Sequence, residues 1–176
     1  MELLVNELCL RRLCMRTDTD IELVKSGSIK TLFPELGHSK HCACIYKKKG
    51  SAFKILSVGL NLYNNSWGYG TTHAEIDAIN KLPPRPNYKK NLKRVNILVI
   101  KTSSCGEVTI SKPCIKCVIN MMTLPQKRGY IIKNVSYSNF NGSIIIKPLK
   151  YFTDDDEKIY VSKFYKSRNF KHHLIK

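Results

Sequence analysis

The chain of 176 residues lacks any run of about 18 consecutive apolar residues, the length that a membrane-spanning helix needs. Its leucine-rich start is no exception, because Asn6, Glu7, Arg11 and Arg12 interrupt it. This absence argues against a helical membrane span and predicts a soluble intracellular protein. The length is that of one domain with a hydrophobic core of its own.

The sequence also lacks the even, regularly spaced cysteines of a small secreted fold. It has seven cysteines, an odd number, so a complete disulfide framework is not expected. Thiolate metal ligands in a reducing compartment explain these residues better.

Acidic residues are scarce, since 13 Asp and Glu face 30 Lys and Arg, and the formal net charge is +17. A+T-rich coding explains part of the lysine excess, but it does not deplete acids. The charge predicts affinity for polyanions. Lys89, Lys90, Lys93, Arg94 and the basic aromatic tail at 151–176 are candidates for nucleic-acid contact, although a solvated basic surface is the simpler interpretation.

Hydrophobic patterning predicts an α/β fold. Apolar runs at 42–46 and 52–60 flank a basic turn, as in a β-hairpin. A helix is expected at 73–82, capped by the threonines before it, and a second helix is expected to begin at Pro113. Further strands are expected at 95–101, 131–137 and 143–147. This order of elements lets helices cover a sheet.

Cys114 and Cys117 are three residues apart, so their sulfurs share one face in the first turn of a helix. The positive end of that helix favours thiolates. Because His73 begins the other helix, an ion beyond both helix tips can be reached by one imidazole and two thiolates. This donor set predicts one zinc per chain and leaves a fourth position for water, as in a catalytic zinc site.

Glu75 follows His73 by two residues and is expected to point past the helix end toward that water. A carboxylate at this place can take a proton from water and return it to a leaving amine. The sequence therefore predicts Glu75 as the catalytic acid and base.

These residues carry a resemblance to a known family. Residues 73–75 (HAE) and, after an intervening strand, residues 113–117 (PCIKC) resemble the signature of the cytidine and deoxycytidylate deaminase superfamily. Residues 73–76 are also similar to the opening of tRNA adenosine deaminases, and residues 58–61 (VGLN) to the strand that there delivers a substrate-binding asparagine. The resemblance covers about residues 42–147.

The resemblance implies a three-layer α/β/α sandwich around a five-stranded mixed sheet, formed by residues 41–150 between an N-terminal extension at 1–40 and the tail. It implies one zinc held by His73, Cys114 and Cys117. It also implies that Asn61 positions the sugar or base and that the backbone around Ala74 holds the ring. Relatives often form dimers or larger assemblies, so a homo-oligomer is expected.

The implied activity is that of a zinc-dependent hydrolase acting on a cyclic amidine. The exocyclic amine at C4 of a cytosine or C6 of an adenine is replaced by oxygen, Glu75 protonates the ring nitrogen, and ammonia leaves. The substrate is a nucleoside, a nucleotide or a nucleic acid. The alternative is a catalytically silent protein of the same fold that serves as a binding or structural component of a virion or a nucleic-acid complex.

The chain departs from many members of the superfamily in two places. About ten residues, 102–111, separate the strand from Pro113, which predicts a remodelled substrate rim. Ser111 and Lys112 replace an acidic residue before the proline, so the substrate choice of those members does not transfer. Residues 111–114 and 135–138, with Gly142, resemble deaminase-like proteins of large DNA viruses, which predicts a place in the host cytoplasm or virion.

Three further groups of residues have two interpretations each. Cys42 and Cys44, near His38 and His41, form either a second zinc site or part of a buried strand, and core packing is favoured. Cys105 either approaches the site or is an ordinary thiol. Asn61 either contacts substrate or only closes a turn.

Overall fold

A computed structural model describes residues 40–49, 52–62, 72–86, 91–103 and 108–153. The predicted N-terminal extension, apart from Lys40, and the tail beyond 153 lie outside the described residues, as does Cys105. No helix among the described residues is long and apolar enough to cross a membrane.

The described residues form six strands and two α-helices in the predicted order, with one strand added. Helix α1 is Ala74–Asn80 and helix α2 is Ile115–Thr123. Short 3₁₀ helices follow at Pro125–Arg128 and Leu149–Phe152. The strands are β1 (Lys40–Lys49), β2 (Ala52–Leu60), β3 (Lys93–Thr102), β4 (Val108–Thr109), β5 (Tyr130–Ser138) and β6 (Ile144–Pro148).

The strands form one mixed sheet in the order β2-β1-β3-β5-β6, and β4 pairs with the end of β3. Of the strand pairs described, β3 with β5 is parallel and the others are antiparallel. The predicted mixed sheet is thus confirmed. Strand β4 was not predicted: it forms within the 102–111 insertion, where Val108 and Thr109 pair with Thr102 and Lys101.

Side chains alternate between two buried faces of the sheet. Ala43, Ile97 and Val135 pack with both helices on one side. The other side buries a second apolar cluster that includes Cys42, Cys44 and Leu98. Among the described residues both α-helices lie on the first face, so they show an α/β fold with one helical layer.

Both helices begin at a predicted metal ligand. His73 is the N-cap of α1 and Cys114 is the N-cap of α2, and each has extended backbone angles. The prediction that threonines cap α1 is wrong, because Thr72 instead forms a β-bridge with Leu62. Pro113 precedes the cap rather than opening the helix. The N-cap residues of both helices therefore lie beyond the end of the sheet at which β2, β3 and β5 finish.

Helix α1 packs directly on β2 at Gly59. A Cβ at this position would lie 2.2 Å from the Ala74 carbonyl oxygen and 2.2 Å from the Ala78 nitrogen, both of them backbone atoms. Because backbone atoms cannot rotate away, any side chain here would push the helix off the strand. Glycine at position 59 thus fixes how closely the helix that begins at His73 approaches the sheet.

Gly59→Ala is expected to lower the free energy of unfolding by about 1–3 kcal/mol, the usual cost of overpacking, and to reduce the zinc content of the purified protein. The matched control is Gly142→Ala. Gly142 has φ 78° and open space around its Cβ position, so only a backbone cost of about 1–2 kcal/mol is expected, with zinc retained. Chemical denaturation and metal analysis check both. Equal zinc content in the two variants would contradict the role given to Gly59.

Candidate metal centre

The structure brings His73, Cys114 and Cys117 together at the two helix tips. The Nδ1 atom of His73 lies 3.2 Å from Cys117 Sγ and 3.5 Å from Cys114 Sγ. All three ligand atoms lie within 4.8 Å of one another. The predicted ligands thus converge on one point, although Cys114 and Cys117 follow His73 by 41 and 44 residues in the chain.

The spacing of these atoms fits zinc. With Zn–N near 2.0–2.1 Å, Zn–S near 2.3 Å and tetrahedral angles, the nitrogen and a sulfur should be about 3.6 Å apart. The two observed distances, 3.2 and 3.5 Å, are close to that value. Within the described residues no further His, Cys, Asp or Glu joins the group. Two sulfurs, one nitrogen and a place for a fourth ligand are therefore compatible with one zinc.

Hydrogen bonds among Cys114, Cys117 and His73 shift the pKa values of all three groups. The hydrogen bond from Cys117 is the main reason that the pKa of Cys114 falls to about 4, and the hydrogen bond from His73 adds to it. The same pairing with Cys114 raises the pKa of Cys117, and the hydrogen bond to Cys114 raises the pKa of His73. A bound cation would take the place of the protons on these groups, because zinc ligands bind as thiolates and neutral imidazole.

Glu75 lies against this group and is buried, with 4% of its surface exposed. Burial is the main cause that raises the pKa of its carboxyl, whereas the nearby His73 and a hydrogen bond to Cys117 oppose the rise. A buried carboxyl with a raised pKa can hold a proton under conditions where an exposed one would not. The structure thus places the predicted proton carrier beside the ligands.

The end of β2 is tied to α1 by hydrogen bonds from backbone N–H groups to side-chain oxygens. The Ala74 N–H donates to Asn61 Oδ1 at 2.8 Å, and the Leu60 N–H donates to Asp77 Oδ2 at 3.0 Å. Asp77 also accepts from Lys81 Nζ at 2.7 Å. The oxygen of Asn61 therefore accepts from the first turn of α1, and the Ala74 N–H already has a partner.

Asp77 is a positioning residue that sequence reasoning missed. The sequence offers one indication of its role, because Lys81 follows Asp77 by four residues. That spacing alone predicts only an ordinary ion pair on the surface of a helix. The bond to Leu60 depends on the tertiary placement of β2, which local sequence does not specify. Asp77 is 6% exposed, so this carboxylate holds α1 and its N-cap His73 against the strand.

Ser111 and Ser138 are also positioning residues that the sequence did not indicate, and they fix the segment before Cys114. Ser111 Oγ donates to the Val99 carbonyl at 2.8 Å and lies 2.8 Å from Ser138 Oγ. Their backbones also pair, since the Ser111 N–H donates to the Ser138 carbonyl at 2.9 Å. Both serines are buried. Ser111 thus anchors the ends of β3 and β5.

Ser111→Ala is expected to lower the free energy of unfolding by about 1–3 kcal/mol, because it leaves the Ser138 backbone N–H and the Val99 carbonyl without their partner. Ser57→Ala is the matched control. Ser57 Oγ is also buried but has no hydrogen-bond partner among the described residues, so its removal should change stability by less than about 0.5 kcal/mol or increase it. Urea denaturation of both variants checks the difference, and similar losses would contradict it.

Among the described residues, Cys42, Cys44 and His41 do not form a second metal-binding group. Both cysteines belong to the core cluster on the sheet face opposite α1 and α2, which confirms core packing. Strand alternation turns His41 to the opposite face. His38 lies outside the described residues, and within them the group at His73 is the one cluster able to hold a metal.

The charge around this centre is one-sided. The described residues contain two acidic side chains, Glu75 and Asp77, and both are buried. Lys112 precedes Cys114, Lys116 lies between the two cysteines, and Lys101 is at the end of β3. The charge of Lys116 acts on His73 and opposes the rise of its pKa. The surroundings of the site therefore favour an anionic ligand.

Comparisons with known proteins identify no family for the chain. No family model matches it, and no curated protein and no solved structure is similar enough to count as a match. The site's own geometry and the resemblance of residues 73–75 and 113–117 are what bear on function.

Proposed function

We propose that the chain is a zinc-dependent hydrolytic deaminase of a cytosine- or adenine-containing nucleoside, nucleotide or nucleic acid. The observation that carries the proposal is the convergence of His73, Cys114 and Cys117 beside the buried carboxyl of Glu75. Three ligands with a place for water, together with an adjacent proton carrier, are the parts that hydrolysis of a cyclic amidine requires.

Glu75 performs the proton transfers in this mechanism. Zinc, when bound at these ligands, would lower the pKa of a water molecule in the fourth position and so supply the nucleophile. Glu75 accepts the proton of the attacking water and delivers it to the ring nitrogen. It then carries the remaining proton of that water to the exocyclic amine, whose C–N bond breaks, so that water and the amidine become a carbonyl compound and ammonia.

The substrate contacts are part of the same proposal. Asn61 lies next to the metal ligands because its side chain is bonded to Ala74. Its amide NH₂ can donate to the sugar or the base, and the main chain at Ala74 forms the wall beneath the ring. The basic residues Lys101, Lys112 and Lys116 supply charge that would attract a phosphate.

The finer fold assignment follows from the same resemblance. We propose that residues 41–150 form a cytidine deaminase-like α/β/α sandwich, with a second layer covering the sheet face that buries Cys42 and Cys44. The family also implies a homo-oligomer. The similarity of residues 111–114 and 135–138 to deaminase-like proteins of large DNA viruses would place the protein in the host cytoplasm or in a virion.

The test is ammonia release by the zinc-loaded full chain from cytidine, deoxycytidylate, adenosine and RNA. The proposal expects turnover of at least one of these substrates and loss of turnover in Glu75→Ala. Turnover that survives Glu75→Ala would refute the role of Glu75, and a lack of turnover on every substrate would favour the second candidate.

That second candidate is a catalytically silent protein of this fold that binds nucleic acid or forms part of a virion. The observation in its favour is that every acidic side chain of the described residues is buried, so their surface carries only positive charge. It expects tight polyanion binding that weakens with salt and is unchanged by Glu75→Ala. Retention of Glu75 at the metal centre favours the enzyme, because a scaffold has no need of a buried carboxyl there.

A further inference from the structure

Four cations gather at the end of the sheet opposite the metal centre. Lys47 and Lys54 face each other directly across the β1–β2 ladder. Lys93 opens β3, and its backbone N–H donates to the Gly129 carbonyl at 2.9 Å. Arg85 Nη1 donates to the same carbonyl at 3.0 Å, which holds the guanidinium beside Lys93. We call these four residues the basic cluster.

The members of the basic cluster repel one another. Partial burial, followed by the charges of Lys47, Arg85 and Lys54, lowers the pKa of Lys93. Like charges directly opposite on neighbouring strands destabilise a sheet. Within the described residues no acid offsets them, since Glu75 and Asp77 lie in α1 and are engaged there. An arrangement that costs stability, with no neutralising acid among the described residues, points to an anionic ligand.

The cluster is a separate site from the metal centre. Strand β3 runs from Lys93, in the basic cluster, to Thr102, at the end of the sheet near the metal centre. Because its ten residues span about 30 Å, the two sites lie at opposite ends of the sheet. Arg85 is held rigidly by a further bond to the Asn91 carbonyl at 3.0 Å, and its guanidinium lies 5.9 Å from the centre of the Tyr130 ring. A fixed guanidinium among mobile lysines suits phosphate, which accepts from both kinds of donor.

The surroundings favour nucleic acid over a membrane surface. Membrane-surface sites combine positive charge with exposed apolar side chains that enter the lipid. Ile131, an exposed large apolar residue that pairs with Arg94 at the start of β3, points to the other face of the sheet, whereas Lys47 and Lys93 alternate with core residues of the helix side. We propose that the basic cluster binds the phosphate backbone of a nucleic acid, independently of catalysis at the metal centre.

The test compares two triple variants of the full chain that remove the same charge. One carries Lys47→Gln, Lys54→Gln and Lys93→Gln, and Arg85 is kept because its bonds also support the fold. The control carries Lys133→Gln, Lys147→Gln and Lys150→Gln, three lysines of β5, β6 and the 3₁₀ helix that follows β6. Binding of a labelled single-stranded oligonucleotide, a duplex and anionic phospholipid vesicles is measured between 50 and 300 mM salt.

The cluster variant is expected to bind the oligonucleotide or duplex at least about 10-fold more weakly at physiological salt, and its salt slope should fall by about 2, since each phosphate contact contributes about 0.7–0.9. The control should change less than about threefold. A third variant, with arginine at all three cluster positions, should retain binding. The cluster variant should melt no lower than the wild type, because a like-charge pair is removed.

Equal weakening in both glutamine variants would overturn the proposal, because it would mean that only diffuse net charge matters. Cluster-dependent binding to vesicles without binding to either nucleic acid would overturn it as well. Failure of the proposed deaminase activity is read separately, from ammonia release by the same variants, and it leaves this result unaffected.

Discussion

Replacing Glu75 with glutamine is expected to lower kcat for deamination by about 10²–10⁴-fold while one zinc stays bound. Glutamine has nearly the same shape but cannot accept a proton from water. The carboxyl lies beside the ligands without belonging to the ligand group, so its loss should leave the affinity for the metal almost unchanged. Steady-state kinetics and zinc analysis of the same preparation check the two halves of this expectation.

Stability provides a control on the same variant. Because burial raises the pKa of Glu75 above its ordinary value of 4.5, the folded state holds the proton more tightly than the unfolded chain. The carboxyl therefore costs no stability at a pH below 4.5, and its cost grows as the pH rises toward the folded pKa. Zinc-free Glu75→Gln should be more stable than the wild type at pH 8, with a smaller gain at pH 4. An equal gain at both pH values would contradict the buried, proton-holding carboxyl.

Loss of one thiolate ligand is expected to have the largest effect on the protein as a whole. Cys117→Ser should lower zinc affinity by more than the 10–100-fold typical when a residue that hydrogen-bonds a metal ligand is lost, because Cys117 supplies a ligand atom itself. The variant should also lose most of the rise in melting temperature that zinc gives the wild type, since a metal that binds only the folded state stabilises it.

Cys42→Ala is the matched control for Cys117→Ser. Cys42 is as buried as Cys117, but it packs in the core cluster on the opposite face of the sheet. It should lower the melting temperature through lost packing and still bind one zinc per chain. Competition titration with a chromophoric chelator and thermal melts measure both quantities. Loss of zinc from Cys42→Ala, or its retention at wild-type affinity by Cys117→Ser, would refute the assigned ligands.

The metal ligands could be predicted from sequence because their geometry is largely local. Spacing of three residues places Cys114 and Cys117 on one helical face, and a helix start at His73 is readable from the residues around it. The positions of most strands along the chain could be predicted from hydrophobic runs, such as the one at 52–60. Only the meeting of the two helix tips needed the fold, and the resemblance to a known signature supplied that expectation.

The features that could not be predicted from the sequence depend on the register of the strands and on contacts between residues that are distant in the chain. The bond from Leu60 to Asp77 and the contact between Ser111 and Ser138 join residues far apart in the chain. Strand β4 arises in an insertion whose two-residue pairing is too short to leave a pattern. The capping of α1 was misjudged because Thr72 is drawn into a bridge with Leu62, which leaves His73 as the N-cap.

The basic cluster shows the same limit. In the sequence, Lys93 stands out together with Lys89, Lys90 and Arg94, which are its neighbours along the chain. In the fold it lies with Lys47, Lys54 and Arg85, which come from a hairpin and from the segment after α1. The net charge thus indicated that the protein attracts anions, whereas the register of the sheet indicates at which place on the surface the positive charges come together.

X-ray absorption spectroscopy at the zinc edge of the purified full chain identifies the atoms that bind the metal. We expect one zinc per chain with two sulfur ligands near 2.3 Å, one imidazole nitrogen near 2.0–2.1 Å and one further light atom from exchangeable solvent. A shell of three or four sulfurs, or a preparation that binds no zinc when His73, Cys114 and Cys117 are intact, would contradict it.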